Sequence, residues 1–334
     1  MSNSFGNKFR ITVFGSSHGD FIGVIVEGCP PGQKINTKFI QKELNRRKPS
    51  QSNLTSQRKE DDKLELLSGV LNGKATGESI TMLIKNKDVD SSYYEEIKNT
   101  PRPGHADFTA RIKYNGNNDY RGGGIFSGRI TAAFVMAGAI AKQILESNNV
   151  FAKAQVIQIG NSKTDNAMKK EILNAKKEKD SVGGLIECKI IGMPVGIGEP
   201  IFDSIESNLS HALFSIPGVK GVEFGSGFNS VSMKGSEHND SFVIKNKKIK
   251  TLTNNSGGIL GGLSNGMPIV FRIAIKPTPS ISKTQKTVNL KSMKECNINI
   301  KGRHDPCIVI RALPVVESIA AITIFDFLLR CKNE

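Results

Sequence analysis

The stretch Phe9-Arg10-Ile11-Thr12-Val13-Phe14-Gly15-Ser16-Ser17-His18-Gly19-Asp20-Phe21-Ile22-Gly23-Val24-Ile25-Val26 sets the frame for reading this chain. Phe9 to Phe14 alternates loosely in apolar character and reads as a strand, and Ile22 to Val26 reads as a second. Between them, Gly15 to Gly19 is a tight polar connection that carries a histidine. The chain therefore opens on β structure with a chemically equipped loop.

Outward from there, Cys29-Pro30-Pro31-Gly32 is a turn, and Asn36 or Thr37 caps a helix running to about Arg47. The basic end of that helix suits the negative pole of its dipole. Leu64 to Leu71 and Ser79 to Lys85 read as strands around Gly73 to Gly77. Lys98 to Gly124 is the longest irregular region, and a helix follows from about Ser127 to Leu145. Its small residues, among them Ala132, Ala133, Ala137, Gly138 and Ala139, allow close packing on all sides. Val150 to Ile191 alternates strand-like with Lys/Glu-rich helical pieces, and Glu206 to Phe214 reads as helix. Asn254 to Gly266 is glycine-rich, Pro268 to Ile275 is a strand, and Gly302-Arg303-His304-Asp305-Pro306 precedes a last apolar helix at about Val315 to Leu329. In both halves a basic loop with Gly, His and Asp precedes an apolar helix. That echo implies a layered α+β fold with two related faces. No long linker divides the chain, so one domain over residues 1–334 is expected.

Composition narrows the function. The 334 residues are 38% hydrophobic, enough for a substantial core. A net charge of +15 invites a nucleic-acid reading. However, the basic residues are scattered, aromatics are 6%, and no helix-turn-helix, zinc-finger or RNP-like motif occurs. The charge fits attraction of small anions better. The five cysteines form no C-x-x-C pair and no Cys/His spacing for zinc, so neither a metal nor a disulfide framework is expected. Met1 to Gly15 lacks the apolar core of a signal peptide. The two most apolar helices carry Lys142, Glu317 and Asp326, which marks them as buried helices rather than membrane spans. A cytoplasmic protein is expected.

Chemistry concentrates in the loops. His18, His105, His238 and His304 sit beside Gly, Ser, Arg or Asp, whereas His211 has a plain helical context. Imidazole suits proton transfer near neutral pH. Gly122-Gly123-Gly124 and the Gly257 to Gly262 run offer backbone N–H groups to an anion. Arg46, Arg47, Arg58, Arg102, Arg121, Arg129 and Arg303 cluster near these loops or at a helix end, and arginine binds phosphate and carboxylate bidentately. Asp107 and Asp305 each lie within two residues of a histidine and can orient it or act as a base. There is no Rossmann, Walker A or G-x-S-x-G motif, so Ser16, Ser17 and Ser127 read as ligand-binding hydroxyls. These residues indicate an anionic-ligand site with proton transfer.

Several blocks also resemble one family. Phe14-Gly15-Ser16-Ser17-His18-Gly19, Ser56-Gln57-Arg58-Lys59-Glu60-Asp61-Asp62, Arg102 to Asp107, Asp119 to Gly124, Asn254 to Gly262, Lys276-Pro277-Thr278-Pro279-Ser280 and Gly302 to Cys307 are similar, in order, to the signatures of chorismate synthases. The resemblance implies a carbon–oxygen lyase of the shikimate pathway. It would eliminate phosphate from 5-enolpyruvylshikimate 3-phosphate in an anti-1,4 sense and require reduced FMN. It implies that His18 protonates or stabilises the reduced flavin, that His105 assists phosphate departure as general acid, and that Asp305, with the flavin N5, helps remove the C6 proton. Arg47, Arg58 and Arg129 would hold anions. Ser127, Glu237, His238, Gly261, Lys276, Pro277, Thr278, Pro279, Ser280 and Arg303 match flavin-binding positions. The family fold is a β-α-β sandwich, assembled as a homotetramer. The flavin is reduced either by a separate reductase, the simpler form, or by an intrinsic NADPH-dependent activity. Three departures stand out: Ser16 for the usual Glu, Ile125-Phe126 for a common Arg-Ser, and Asn53 where Arg is frequent.

Overall fold

In the computed structural model, which describes residues 3–48, 60–87, 91–302 and 304–331, the opening strands form where the alternation places them. Arg10–Gly15 pairs antiparallel with Phe21–Glu27, with Phe14 opposite Gly23. The ring of Phe14 lies across Gly23, where an added Cβ would stand 2.3 Å from its Cζ. Ile22, Val24 and Val26 are buried. Ile80–Lys85 pairs with the other side of Phe21–Glu27, and Leu64–Ser68 and Ser4–Phe5 complete a five-stranded antiparallel sheet. A second antiparallel sheet has four strands in the order Val219–Phe224, Ile269–Ile275, Gly184–Ile191, Phe151–Ile159.

Eight helices join these sheets among the described residues: α1 (Thr37–Arg47), α2 (Ser92–Ile97), α3 (Asp107–Lys113), α4 (Thr131–Ser147), α5 (Asp165–Lys177), α6 (Ile205–Leu213), α7 (Gly235–His238) and α8 (Val309–Cys331). Asn36 caps α1, its side chain accepting from the N–H groups of Lys38 and Phe39. Helix α4 packs on the first sheet, α8 on the second, and the two helices pack on each other. They meet at Gly138, where a Cβ would lie 2.2 Å from the Cβ of Ser318. The result is a sheet–helix–helix–sheet sandwich with one continuous apolar cluster through it. The two related faces implied by the sequence are these two sheet-plus-helix halves.

Three boundaries differ from the expectation. Helix α8 begins at Val309, not near Val315, because Pro314 lies inside it. Proline reads as a helix boundary in sequence, yet burial of Val309, Ala312, Val315 and Val316 holds the earlier turn in place. The irregular region after Lys98 contains α3. The helix expected from Ser127 starts instead with a 3-10 turn, Gly128–Ile130, capped by the Ser127 hydroxyl accepting from the Arg129 N–H at 3.3 Å.

The charges in the apolar helices are satisfied inside the protein. Asp326 accepts the N–H groups of Asn7, Lys8 and Phe9 at 2.9, 2.6 and 2.8 Å, tying the N-terminal segment to α8. Lys142 Nζ donates to Glu43 at 2.6 Å and to Glu317 at 2.7 Å. Arg46 pairs with the same two carboxylates at 2.9 and 2.7 Å. Arg46 therefore serves the α1–α4–α8 junction and not a ligand loop, which corrects its grouping with the loop arginines. Burial alone would raise the Glu317 pKa, but Arg46 and Lys142 outweigh it and hold the carboxyl below its ordinary range.

This low carboxylate has a pH consequence. A depressed folded-state pKa contributes stability that is full above the unfolded value, about 4.3 for Glu, and is lost as pH falls through the folded one. Asp107 acts in the same direction. Urea unfolding is expected to give a constant free energy from pH 7 to about pH 5 and a falling one below about pH 4. Undiminished stability at pH 3 would remove these carboxylates from the account.

Candidate active site

At one end of the sandwich, the C-terminus of α1, the first turn of α8 and several loops enclose a cavity of about 600 Å³. Its lining carries Arg47, Arg102, Arg129, Arg311, Lys220 and Lys276 against the carboxylates of Glu60 and Asp305. Asp62 forms the floor of this charge cluster. Its buried carboxylate accepts from Arg47 Nη1 and from Arg129 Nη1, both at 2.9 Å. Burial favours the protonated acid, but Arg47 and Arg129 overcome this and hold Asp62 low. Burial and the neighbouring cations Arg311 and Arg129 lower the Arg47 pKa to about 9 against the pull of Asp62, so it stays cationic at neutral pH. Arg129 also donates through Nε to Asn86 at 2.6 Å. Arg311 donates to the Asp305 carboxylate, and its Nε reaches the Arg47 carbonyl at 3.1 Å. Arg129 also pairs with Glu60 at 3.3 Å, so Arg47 and Arg129 are matched by two carboxylates, and the lining's further cations include Lys220 and Lys276.

His105 lines the cavity, with Nδ1 2.6 Å from Asp107 Oδ1. His18 does not line it. Its ring stands directly behind Gly122 and edge-on to Tyr94, with centroids 5.1 Å apart. Its Nδ1 lies 3.2 Å from the Ser17 hydroxyl. Gly122 and Gly123 are the reason both imidazoles come this close. They take φ values of 59° and 95°, and a Cβ would lie 1.9 Å from the His18 ring at Gly122 and 2.8 Å from the His105 ring at Gly123. Gly122→Ala is expected to displace His18 and lower turnover by about 10²-fold, the scale of a 1 Å misplacement. Wild-type turnover in that variant would show that the His18 position is not needed.

The segment 276–280 acts as a strap between the two halves' loops. Lys276 Nζ donates to the Gly104 carbonyl at 2.6 Å, Thr278 Oγ1 to the Asp305 carbonyl at 2.9 Å, and Ser280 Oγ accepts from Arg102 Nη1 at 3.2 Å. Burial and Arg102 push the His304 pKa down against the charge of Asp305, which favours a neutral ring. Ile125 and Phe126 face the cavity at 41% and 37% exposure and put apolar surface on its wall.

The cavity thus brings together His105, Asp305, Arg47, Arg129, Ser127, Lys276, Pro277, Thr278, Pro279 and Ser280. Glu237, His238 and Gly261 lie outside it. The His238 Nε2 is 2.9 Å from the Ser226 hydroxyl, and Gly261 sits in the turn between Ile259–Leu260 and Leu263–Ser264. Arg58 and Arg303, like Asn53, lie outside the described residues. Sequence reasoning missed Tyr94, Lys220 and Arg311 as lining, and the bridging role of Asp62. Arg311 had a signal, a lone cation in the apolar run Cys307 to Val316. Tyr94 and Lys220 had none. Among the described residues no group of three or more His, Cys, Asp or Glu is placed to hold a metal ion.

The chorismate synthase family model matches residues 9–329. The chain belongs to the chorismate synthase family. It is 48% identical to the chorismate synthase of Korarchaeum cryptofilum (strain OPF8), over 98% of this chain and 97% of that one. It is 47% identical to that of Methanobrevibacter smithii, over 99% and 97%. A solved crystal structure of chorismate synthase superposes with a TM-score of 0.77 at 28% identity, covering 98% of this chain and 93% of that chain. The α+β sandwich is therefore the chorismate synthase fold. Arg47, His105, Arg129 and Asp305, far apart in sequence, line one cavity, and His18 stands behind Gly122 in its wall.

Proposed function

We propose that this chain eliminates phosphate from 5-enolpyruvylshikimate 3-phosphate to give chorismate, as a carbon–oxygen lyase of the shikimate pathway that works with reduced FMN. The observation that carries this reading is the cavity, where an arginine- and lysine-rich lining meets His105 from one half of the fold and His304 and Asp305 from the other. The residues present fit a flavin. The volume suits a ligand of that class. Apolar walls at Ile125, Phe126, Ile308 and Val315 offer a surface for a flat ring, and Lys276 with the 276–280 strap offers donors for a phosphate.

Reduced FMN supplies transient electron density to the substrate when bound. The protein's residues do the rest. Arg47, Arg129 and Arg311 hold the substrate's carboxylate and phosphate groups. His105, with Nδ1 engaged by Asp107, presents Nε2 to the departing phosphate as general acid. Asp305, oriented by Arg311, receives the C6 proton. His18, set behind Gly122, supports the loop that would wall the flavin site. Ser127 and residues 276–280 bind the cofactor. Glu237, His238 and Gly261 would reach the flavin of a neighbouring subunit in the homotetramer that the family implies. The protein works in the cytoplasm, with a separate reductase supplying the reduced flavin.

The test is anaerobic. Purified protein with dithionite-reduced FMN and substrate is expected to release phosphate, and oxidised FMN is expected to give none. No release with reduced FMN would overturn the proposed function. Aerobic turnover supported by NADPH alone would overturn the separate reductase.

A further inference from the structure

We propose that Asp107 is a positioning residue that fixes the tautomer of His105, so that Nδ1 carries the proton toward Asp107 and Nε2 is the nitrogen left to exchange a proton. The proposal deepens the function above and rests on it for its catalytic consequence, though not for the tautomer itself.

The geometry is specific. Asp107 opens α3, and both its oxygens are fully used. Oδ2 accepts from the Arg102 backbone N–H at 3.0 Å and from Arg102 Nε at 2.8 Å. Oδ1 accepts from Arg102 Nη2 at 2.8 Å and faces His105 Nδ1 at 2.6 Å. A carboxylate has about four acceptor positions; three here take Arg102 N–H donors and the fourth faces His105 Nδ1. Arg102 is itself held, buried, by Ser280 and by the Tyr94 ring, whose centroid is 5.5 Å from the guanidinium carbon. The arginine keeps Asp107 well below the ordinary carboxylate range, against burial that would raise it. An ionised oxygen 2.6 Å from Nδ1 excludes a lone pair on that nitrogen. Arg102 Nη2 lies 3.2 Å from Nδ1 and 3.4 Å from Nε2, and since it donates to Oδ1 its approach to Nδ1 is two donors converging on one oxygen. Asp107 therefore stays ionised at neutral pH and acts on the ring as an acceptor. It stabilises the imidazolium before proton donation and holds the Nδ1–H form afterwards.

This arrangement predicts the outcome of an isosteric change. In Asp107→Asn, the amide NH2 would face two N–H donors at the Oδ2 position, Arg102 N and Nε, but only one, Arg102 Nη2, at the Oδ1 position, so it takes the Oδ1 position and donates to His105 Nδ1. The ring is then driven to the Nε2–H tautomer, a far weaker acid than the imidazolium.

The experiment reads the tautomer directly. Full-length protein labelled with 15N-histidine is examined in alkaline buffer by two-bond 1H–15N correlation, with a His105→Gln spectrum assigning the His105 signals. Wild type is expected to show the Nδ1–H pattern. Asp107→Asn is expected to show the Nε2–H pattern with the other four histidines unmoved, and kcat for phosphate release is expected to fall about 10²-fold with KM nearly unchanged. An Nε2–H pattern in wild type overturns the proposal, as does an unchanged Nδ1–H pattern in the variant. If Asp107→Asn does not fold, the wild-type spectrum still decides, and Asp107→Glu, which keeps the charge, is expected to keep the Nδ1–H pattern. Absence of phosphate release by wild type would defeat the functional reading while leaving the tautomer result standing.

Discussion

Phosphate release by His105→Ala is expected to fall by about 10²–10⁴-fold, the usual contribution of a general acid, while FMN binding stays close to wild type. The expectation follows from where the ring sits. His105 lines the cavity beside Arg102, on the loop opposite the 276–280 strap, and its ring is buttressed by Gly123 and Asp107. Alanine removes the proton donor and leaves the arginine floor of Arg47, Arg129 and Arg311 in place. Binding of anions should survive while the leaving group lacks its proton. The check pairs an anaerobic phosphate-release assay with a fluorescence titration of FMN. Turnover within threefold of wild type would take His105 out of the chemistry.

The second large effect concerns stability. Lys142→Ala is expected to cost about 3–5 kcal/mol, the range for removing one partner from a buried ion pair. Lys142 lies between Glu43 and Glu317, both nearly inaccessible to solvent. Its loss leaves two carboxylates converging on Arg46, which also contacts solvent. One of them would take up a proton or the α1–α4–α8 junction would open. Urea denaturation of the folded protein measures the loss. Replacing Lys142, Glu43 and Glu317 together with apolar residues of like volume is expected to restore most of it. A single-variant loss below about 1 kcal/mol would mean that the network contributes no more than surface pairs do.

Much of the site was legible before the fold was known. His18, His105, Asp305 and the glycine run stood out because loops rich in Gly, His and Arg have no packing reason to carry those residues together. The departures Ile125 and Phe126 were also visible, and both prove to face the cavity. Other features were hidden for physical reasons. Arg46 and Arg47 are adjacent on α1, and about 100° of helical rotation sends one to the buried Glu43–Glu317 pair and the other to Asp62. Nothing in the local pattern assigns those faces. Tyr94 gains its place from a short helix packed against the 3-10 turns near Gly122, which is a long-range contact. The start of α8 was obscured by Pro314, whose local penalty is outweighed by tertiary burial.

By itself, the amino-acid sequence determined the periodicities and the chemistry. It placed the alternating strands, the small-residue helix and the glycine run at 122–124. These follow from local sterics and from side chains that suit a single environment. That Gly138 meets Ser318, and that the bare positions at 122 and 123 admit the two histidine rings, came from the fold. The tertiary structure decided which charges meet. It set Asp62 between Arg47 and Arg129, Arg311 on Asp305, and Lys142 between two carboxylates drawn from α1 and α8. Pairing energies depend on distance and on the dielectric of the surroundings, and both come into being only when the two sheets close on α4 and α8.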